Sequence, residues 1–218
     1  MPDQPKEPPK ADHPKRLDHW LEAITAIMLG VVAVATAWSG YQSTRWSGVQ
    51  AALYAEAGGL RVESTRASTQ ADNDRLYDVN LFDSWLTAYS EGNTVLANIF
   101  KKRFRQEFLP AYYAWLATDP FHNPNAPQGP LFMPQYQLSQ AARADQLEAA
   151  ANRLFNQGQD ANQHSDDYVL NTVFLAMVLF LTAISERFRW QAVRVGVLVL
   201  AAAMLVFGLR NLLVYPIT

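Results

Sequence analysis

AITAIMLGVVAVATAWSGYQST, residues 23–44, is a run of 22 residues without one charged side chain. Coiled as an α-helix it is about 33 Å long, enough to cross a hydrocarbon layer of about 30 Å. Two comparable runs lie toward the other end of the chain: residues 168–185, with 18 uncharged residues, and 15 residues between Arg194 and Arg210. Both arginines can snorkel to opposite interfaces, and Trp190 and Tyr215 sit where aromatic anchors belong, so the third span is read as 192–214. One such run is at home in a water-soluble core. Three of them read as a membrane protein.

The fold class this implies is all-α: three transmembrane helices, with an extramembrane antiparallel helical bundle inserted between the first and the second. The chain then divides into a tail (1–20), span one (21–44), the bundle (45–167), span two (168–185), a link (186–191), span three (192–214) and an end segment (215–218). The tail carries five prolines and mixed charge, which predicts disorder. Span one is too long for a cleavable signal and no small-residue cleavage site follows it, so it is expected to be an uncleaved signal anchor. Lys6, Lys10, Lys15 and Arg16 precede it, and Arg187, Arg189 and Arg194 follow span two. Only Arg45, Arg61, Arg153 and Arg210 lie near the opposite ends. The positive-inside rule therefore expects a cytoplasmic N-terminus and link, with the insert and C-terminus extracytoplasmic.

Composition excludes several classes of function. The formal net charge is −2 and the basic residues are scattered, which argues against a nucleic-acid partner. There is no cysteine, hence no disulfide framework and no thiolate chemistry. His164 with Asp166 and Asp167 has the donors for a divalent cation, but at a membrane entrance a solvated cap is the commoner explanation. No HExxH, GxSxG, Walker or dinucleotide pattern occurs, so no enzyme activity, cofactor or catalytic residue is expected. The spans hold no ionisable residue at mid-bilayer, which disfavours transport.

Within the insert, apolar residues at spacings of 3 and 4 predict that the first span continues outward as one helix to about Thr69, weakest at Gly58 and Gly59. Ala71–Asp74 reads as a turn, with a second long helix over about residues 76–108 returning to the membrane surface. AYYAWLAT is a candidate short helix. Five prolines in residues 119–135 then make an irregular crossing, and a helix resumes at Ser139 and runs into span two, with a break near Gly158.

Two surface features stand out. Ala26, Gly30, Ala33, Ala37 and Gly40 form a stripe of small residues on span one, the kind of face on which helices pack in lipid. It serves either packing among the three spans, the ordinary reading, or a seam between copies. FKKRFRQEFLPAYYAWL sets Lys101, Lys102, Arg103 and Arg105 beside Tyr112, Tyr113 and Trp115, a lipid-interface patch if the rings point outward and an aromatic core if they point inward. Trp38, Tyr41 and Trp46, in WSGYQSTRWSG, are expected as an aromatic belt.

This order of elements resembles small bacterial membrane proteins of uncharacterised role, some of which similarly carry an aromatic-glutamine segment after the first span, comparable to Trp38–Trp46. The resemblance implies a bacterial inner (cell) membrane location and carries no activity with it. The insert between two spans also resembles the outline of chemoreceptor-type sensor modules, from which the third span and the lack of a cytoplasmic signalling domain depart. The expected partners are the lipid bilayer and either a second copy or another membrane protein. The expected role is a structural or accessory component, with a small-molecule or lipid sensor as the alternative.

Overall fold

The computed structural model describes residues 15–218, with side chains from residue 19 onward. Five α-helices account for most of them: α1 (Lys15–Ser90), α2 (Thr94–Lys101), α3 (Leu109–Leu116), α4 (Ser139–Ser185) and α5 (Gln191–Val214), with a 3₁₀ turn at Pro130–Phe132. Among the described residues there is no strand. α1, α4 and α5 are each long and apolar enough to cross a membrane. The tail expected over residues 1–20 lies outside the described residues as far as residue 14, and from Lys15 the chain is already helical.

The described residues divide into two compact units, one made of the chain up to residue 52 together with residues 158–218, the other of residues 53–157. In the first, each helix buries a single narrow stripe. On α1 it is Thr25, Met28, Val32, Ala35, Ser39 and Gln42; on α4 it is Tyr168, Asn171, Leu175, Val178 and Thr182; on α5 it is Leu198, Ala201, Leu205 and Gly208. The steps of 3 and 4 are those of one helix face. Large apolar residues such as Val34, Phe180 and Val199 point away from these stripes, as lipid-facing positions do. At Gly208 α5 lies close against α4: a Cβ there would lie 2.9 Å from Leu175 Cδ2. The hydroxyls of Thr25, Thr36, Thr172 and Thr182 each donate to the carbonyl four residues earlier, at 2.7–2.9 Å, so each is satisfied within its own helix.

In the second unit Ala57, Ser64, Ala67 and Ala71 are buried on α1, and Ala144 and Ala151 on α4. Ser64 Oγ donates to the Ala144 carbonyl at 2.9 Å, a contact that small side chains permit. Tyr54 stacks on Phe155 at 5.1 Å, and the Arg61 guanidinium lies over Phe155 at 5.0 Å. The larger core gathers Phe82 and Trp85 from α1, Ala97 from α2, and Phe104, Phe108, Tyr112 and Trp115 from the segment after it.

Two expectations need correction. α1 does not turn at Ala71–Asp74 but continues to Ser90, and no helix spans residues 76–108. Asp74 and Asp78, one helical turn apart, bind Arg105 instead of capping anything. The turn comes at Glu91–Asn93, where Gly92 adopts φ +72° and the Asn93 side chain accepts from the Leu96 N–H at 3.0 Å. α2 then stops at Lys101, and turns rather than a helix carry Phe104 and Phe108 into the core. Neither Gly58–Gly59 nor Gly158 interrupts its helix; about 1 kcal/mol per glycine is too small a penalty to break one that packs on both sides of it.

Gly208→Val should destabilise the three-span unit by about 1–3 kcal/mol, because Leu175 is fully buried and has nowhere to move. Gly30→Val should leave it unchanged, since a Cβ at Gly30 meets nothing within 4 Å. Thermal unfolding of the two variants in the same detergent compares them directly.

Candidate functional site

At one end of the three-span unit the buried stripes turn polar. Ser39 Oγ donates to the Tyr168 carbonyl at 2.8 Å and lies 3.4 Å from Asn171 Nδ2, and Asn211 Nδ2 reaches Asn171 Oδ1 at 3.4 Å, so all three helices contribute. One turn further on, Ser165 Oγ sits 3.1 Å from Ser43 Oγ and 2.9 Å from Ser47 Oγ. The segment after α5 closes over this knot. Pro216 O accepts from Trp46 Nε1 at 3.0 Å and from the Tyr168 hydroxyl at 3.2 Å, while Gln42 Oε1 accepts from the Thr218 N–H and hydroxyl at 3.3 and 3.0 Å. Trp46 also packs on His164 at 4.7 Å. Trp46 thus fastens the end segment, whereas Trp38 and Tyr41 are exposed. Gln42 is fully buried, and its Nε2 has no hydrogen-bond partner, a cost of about 1–3 kcal/mol that the rest of the knot offsets.

The second concentration of polar groups is in the insert. Arg105 donates to Asp78 Oδ2 at 2.9 Å, to Asp74 Oδ2 at 3.0 Å and to Glu107 Oε2 at 2.6 Å, and the Tyr136 hydroxyl donates to Asp78 Oδ2 at 3.1 Å. Asp78 is 1 % exposed, and its Oδ1 has no partner. Burial pushes its carboxyl above the ordinary range, an effect that Arg105 and Tyr136 only partly offset. Glu107 moves the other way. Hydrogen bonds from the Ser139 hydroxyl and backbone N–H, with Arg105 alongside, hold it below the ordinary range despite some burial. Three carboxylates around one guanidinium bind α1, the turn after α2 and the start of α4 together. This is a structural clamp.

The rings expected beside the cations do not share one surface. Tyr112 and Trp115 are buried in the core with Phe104 and Phe108, where Trp85 meets Tyr112 edge-on at 5.1 Å and the Trp115 indole N–H donates to the Pro127 carbonyl at 2.7 Å. Tyr113 is exposed, and Lys101 Nζ lies over it at 5.2 Å. Arg105 is committed to the clamp. Of the seven patch residues only Lys101, Lys102, Arg103 and Tyr113 remain toward solvent.

Span one's small residues are also placed unexpectedly. Ala26, Gly30, Ala33 and Ala37 are exposed and Gly40 half-buried, one step around the helix from the stripe that packs on α4 and α5. Nothing lies within 4 Å of a Cβ at Gly30 or Gly40. Beside this face runs an apolar groove of about 540 Å³ between α1 and α5, lined by Gly30, Val31, Val34, Ala35, Trp38, Leu209 and Leu212. Ordinary packing among the spans thus uses other residues. Among the described residues no three His, Asp or Glu side chains are grouped to hold a metal, and His164 packs on Trp46. The Arg105 clamp was missed in the sequence, although Asp74 and Asp78 one turn apart, with an arginine downstream among rings, was its available signal. Compared with protein families, curated proteins and solved structures, the chain matches none.

Arg105→Met should destabilise the insert by about 3 kcal/mol, because it strands buried Asp78 without its cation. Asp78→Asn should cost little at neutral pH, since it also removes the burden of a buried charge. Because the folded-state pKa of Asp78 is raised, that burden exists above it and disappears as pH falls toward the unfolded value near 4. The stability of Asp78→Asn relative to the parent chain should therefore decrease from pH 7 to pH 4. Urea unfolding followed by tryptophan fluorescence at the two pH values tests the sign.

Proposed function

We propose that this chain is a multi-pass protein of the bacterial inner membrane, cytoplasmic at its N-terminus, with its insert and C-terminus extracytoplasmic. It acts as a non-catalytic structural or accessory component that displays an antiparallel helical bundle and assembles with itself or a membrane partner through span one. The observation that carries this reading is the open face of Ala26, Gly30, Ala33 and Ala37. Helices associate in lipid by close backbone approach at small residues, and here that face is kept clear of the chain's own α4 and α5. The antiparallel arrangement is supported by contacts in which rising numbers on α1 meet falling numbers on α4: Tyr54 with Phe155, Arg61 with Glu148 and Asn152, and Ser64 with Ala144. The same order holds for Ser39 with Tyr168 and Ser47 with Ser165. A ligand-sensing module would be favoured by a buried polar cavity, whereas the interior around Trp85 is occupied by rings in stacked and edge-on contact.

The double variant Gly30→Leu, Ala37→Leu should lose the assembled state in nanodiscs, read as stoichiometry by single-molecule photobleaching, while its melting temperature stays that of the parent. Unchanged stoichiometry rejects span one as the seam. The orientation is tested separately by single cysteines, which the chain otherwise lacks. A membrane-impermeant maleimide on intact cells should label Gln137→Cys and not Glu186→Cys; the reverse pattern inverts the topology.

A further inference from the structure

α2 packs Ala97 and Phe100 on the core but leaves its other aliphatic side chains uncovered. Of its residues Thr94–Lys101 only Ala97 is buried, while Val95, Leu96 and Ile99 are 72 %, 36 % and 43 % exposed. Val95, Ile99 and Lys102 follow one another at spacings of 4 and 3, so the exposed aliphatic stripe leads directly into a cation. At the other end of the helix stands Glu91, exposed in the turn that precedes it. Among the described residues neither Glu91 nor Lys102 is in an ion pair. An acid at the N-terminal end and cations at the C-terminal end suit the dipole of α2 itself. They also make the helix complementary in charge to its own reversed copy.

We propose that α2 is a self-association surface on which the occupant is a second copy of this chain. Two α2 helices pair in opposite directions about a two-fold axis, each Glu91 facing Lys102 of the second copy. Setting position 91 against 102 places the axis between Leu96 and Ala97 and lays the Val95–Ile99 stripes against each other, an isologous contact. An anionic lipid surface fits less well. Asp83 and Glu91 line the groove of about 400 Å³ that Leu96 and Phe100 floor, and they would face the phosphates. The stripe is small beside the roughly 800 Å² per partner that a stable complex buries. Two copies held in one membrane need far less, because confinement raises their effective concentration. To that extent the contact rests on the membrane reading above.

The test uses the full chain reconstituted in liposomes with a single cysteine, Val95→Cys, and a short bismaleimide; Asp145→Cys on α4 is the control. The Val95→Cys chain should cross-link to a dimer and the control should not. Either Glu91→Lys or Lys102→Glu alone should reduce the cross-linked fraction about tenfold through like-charge contacts, and the two together should restore it. Cross-linking that ignores the single reversals, or that the double reversal fails to restore, overturns the proposal. So does Glu91→Lys increasing binding of added vesicles of anionic lipid, which would make α2 a lipid surface. Absence of the Val95→Cys dimer while span-one stoichiometry persists in the same liposomes overturns the α2 contact and leaves the span-one reading standing.

Discussion

In hydrocarbon a helix gains nothing by exchanging lipid for another apolar side chain, so contacts other than greasy burial must hold α1, α4 and α5 together. Two kinds are present. One is fit, concentrated where Gly208 lets α5 approach Leu175 of α4. The other is the polar knot of Ser39, Asn171 and Asn211, extended through Ser43, Ser47 and Ser165 and closed by the segment carrying Pro216 and Thr218. These groups bond to one another across the three helices, which sets the rotation of each helix about its own axis. That rotation decides which face of span one is left for anything else.

The insert is built under the opposite solvent rule. Around Trp85 the cohesion is apolar area and ring contact, and the polar groups that enter are tied to a single cation. Arg105 joins three segments that the aromatic core alone would leave free to slide, because rings in edge-on contact tolerate small displacements and a guanidinium shared by three carboxylates does not. Its cost is a buried Asp78 with one oxygen unpartnered. Buried ion clusters commonly confer definition rather than stability, and this one fixes where the chain goes after α2.

The three helices long and apolar enough to cross a membrane were legible because span length and hydrophobicity are read from long runs, where single residues average out. Helix ends in the insert were not, and the reason is local. Ala71–Asp74 carries the residues of a turn, yet Asp74 has a partner across the bundle, and a tertiary ion pair outweighs the few tenths of a kcal/mol by which aspartate disfavours a helix. Glu91-Gly92-Asn93 was the stronger stop, since Gly92 takes a left-handed conformation and Asn93 caps. The aromatic-cationic segment was ambiguous in principle: periodicity reports that one face is apolar but not whether lipid or protein covers it. The small-residue stripe of span one shows the same limit. A packing face was readable, and its being turned away from α4 and α5 depended on Ser39 and Gln42 lying one step around the helix.

Two unlike surfaces thus remain uncovered, and their physics differ. The face of span one is apolar and flat, so only close backbone approach can make a helix prefer it to lipid. The face of α2 is apolar in water, so covering it is favourable whatever the partner's shape, and its charges select direction rather than strength. A contact of the first kind is set by steric fit and indifferent to salt; one of the second loses its preference for direction as ionic strength rises. A chain carrying both can be joined at two points by interactions that respond to different conditions. Anchoring in a shared membrane lets each be weak alone and effective together.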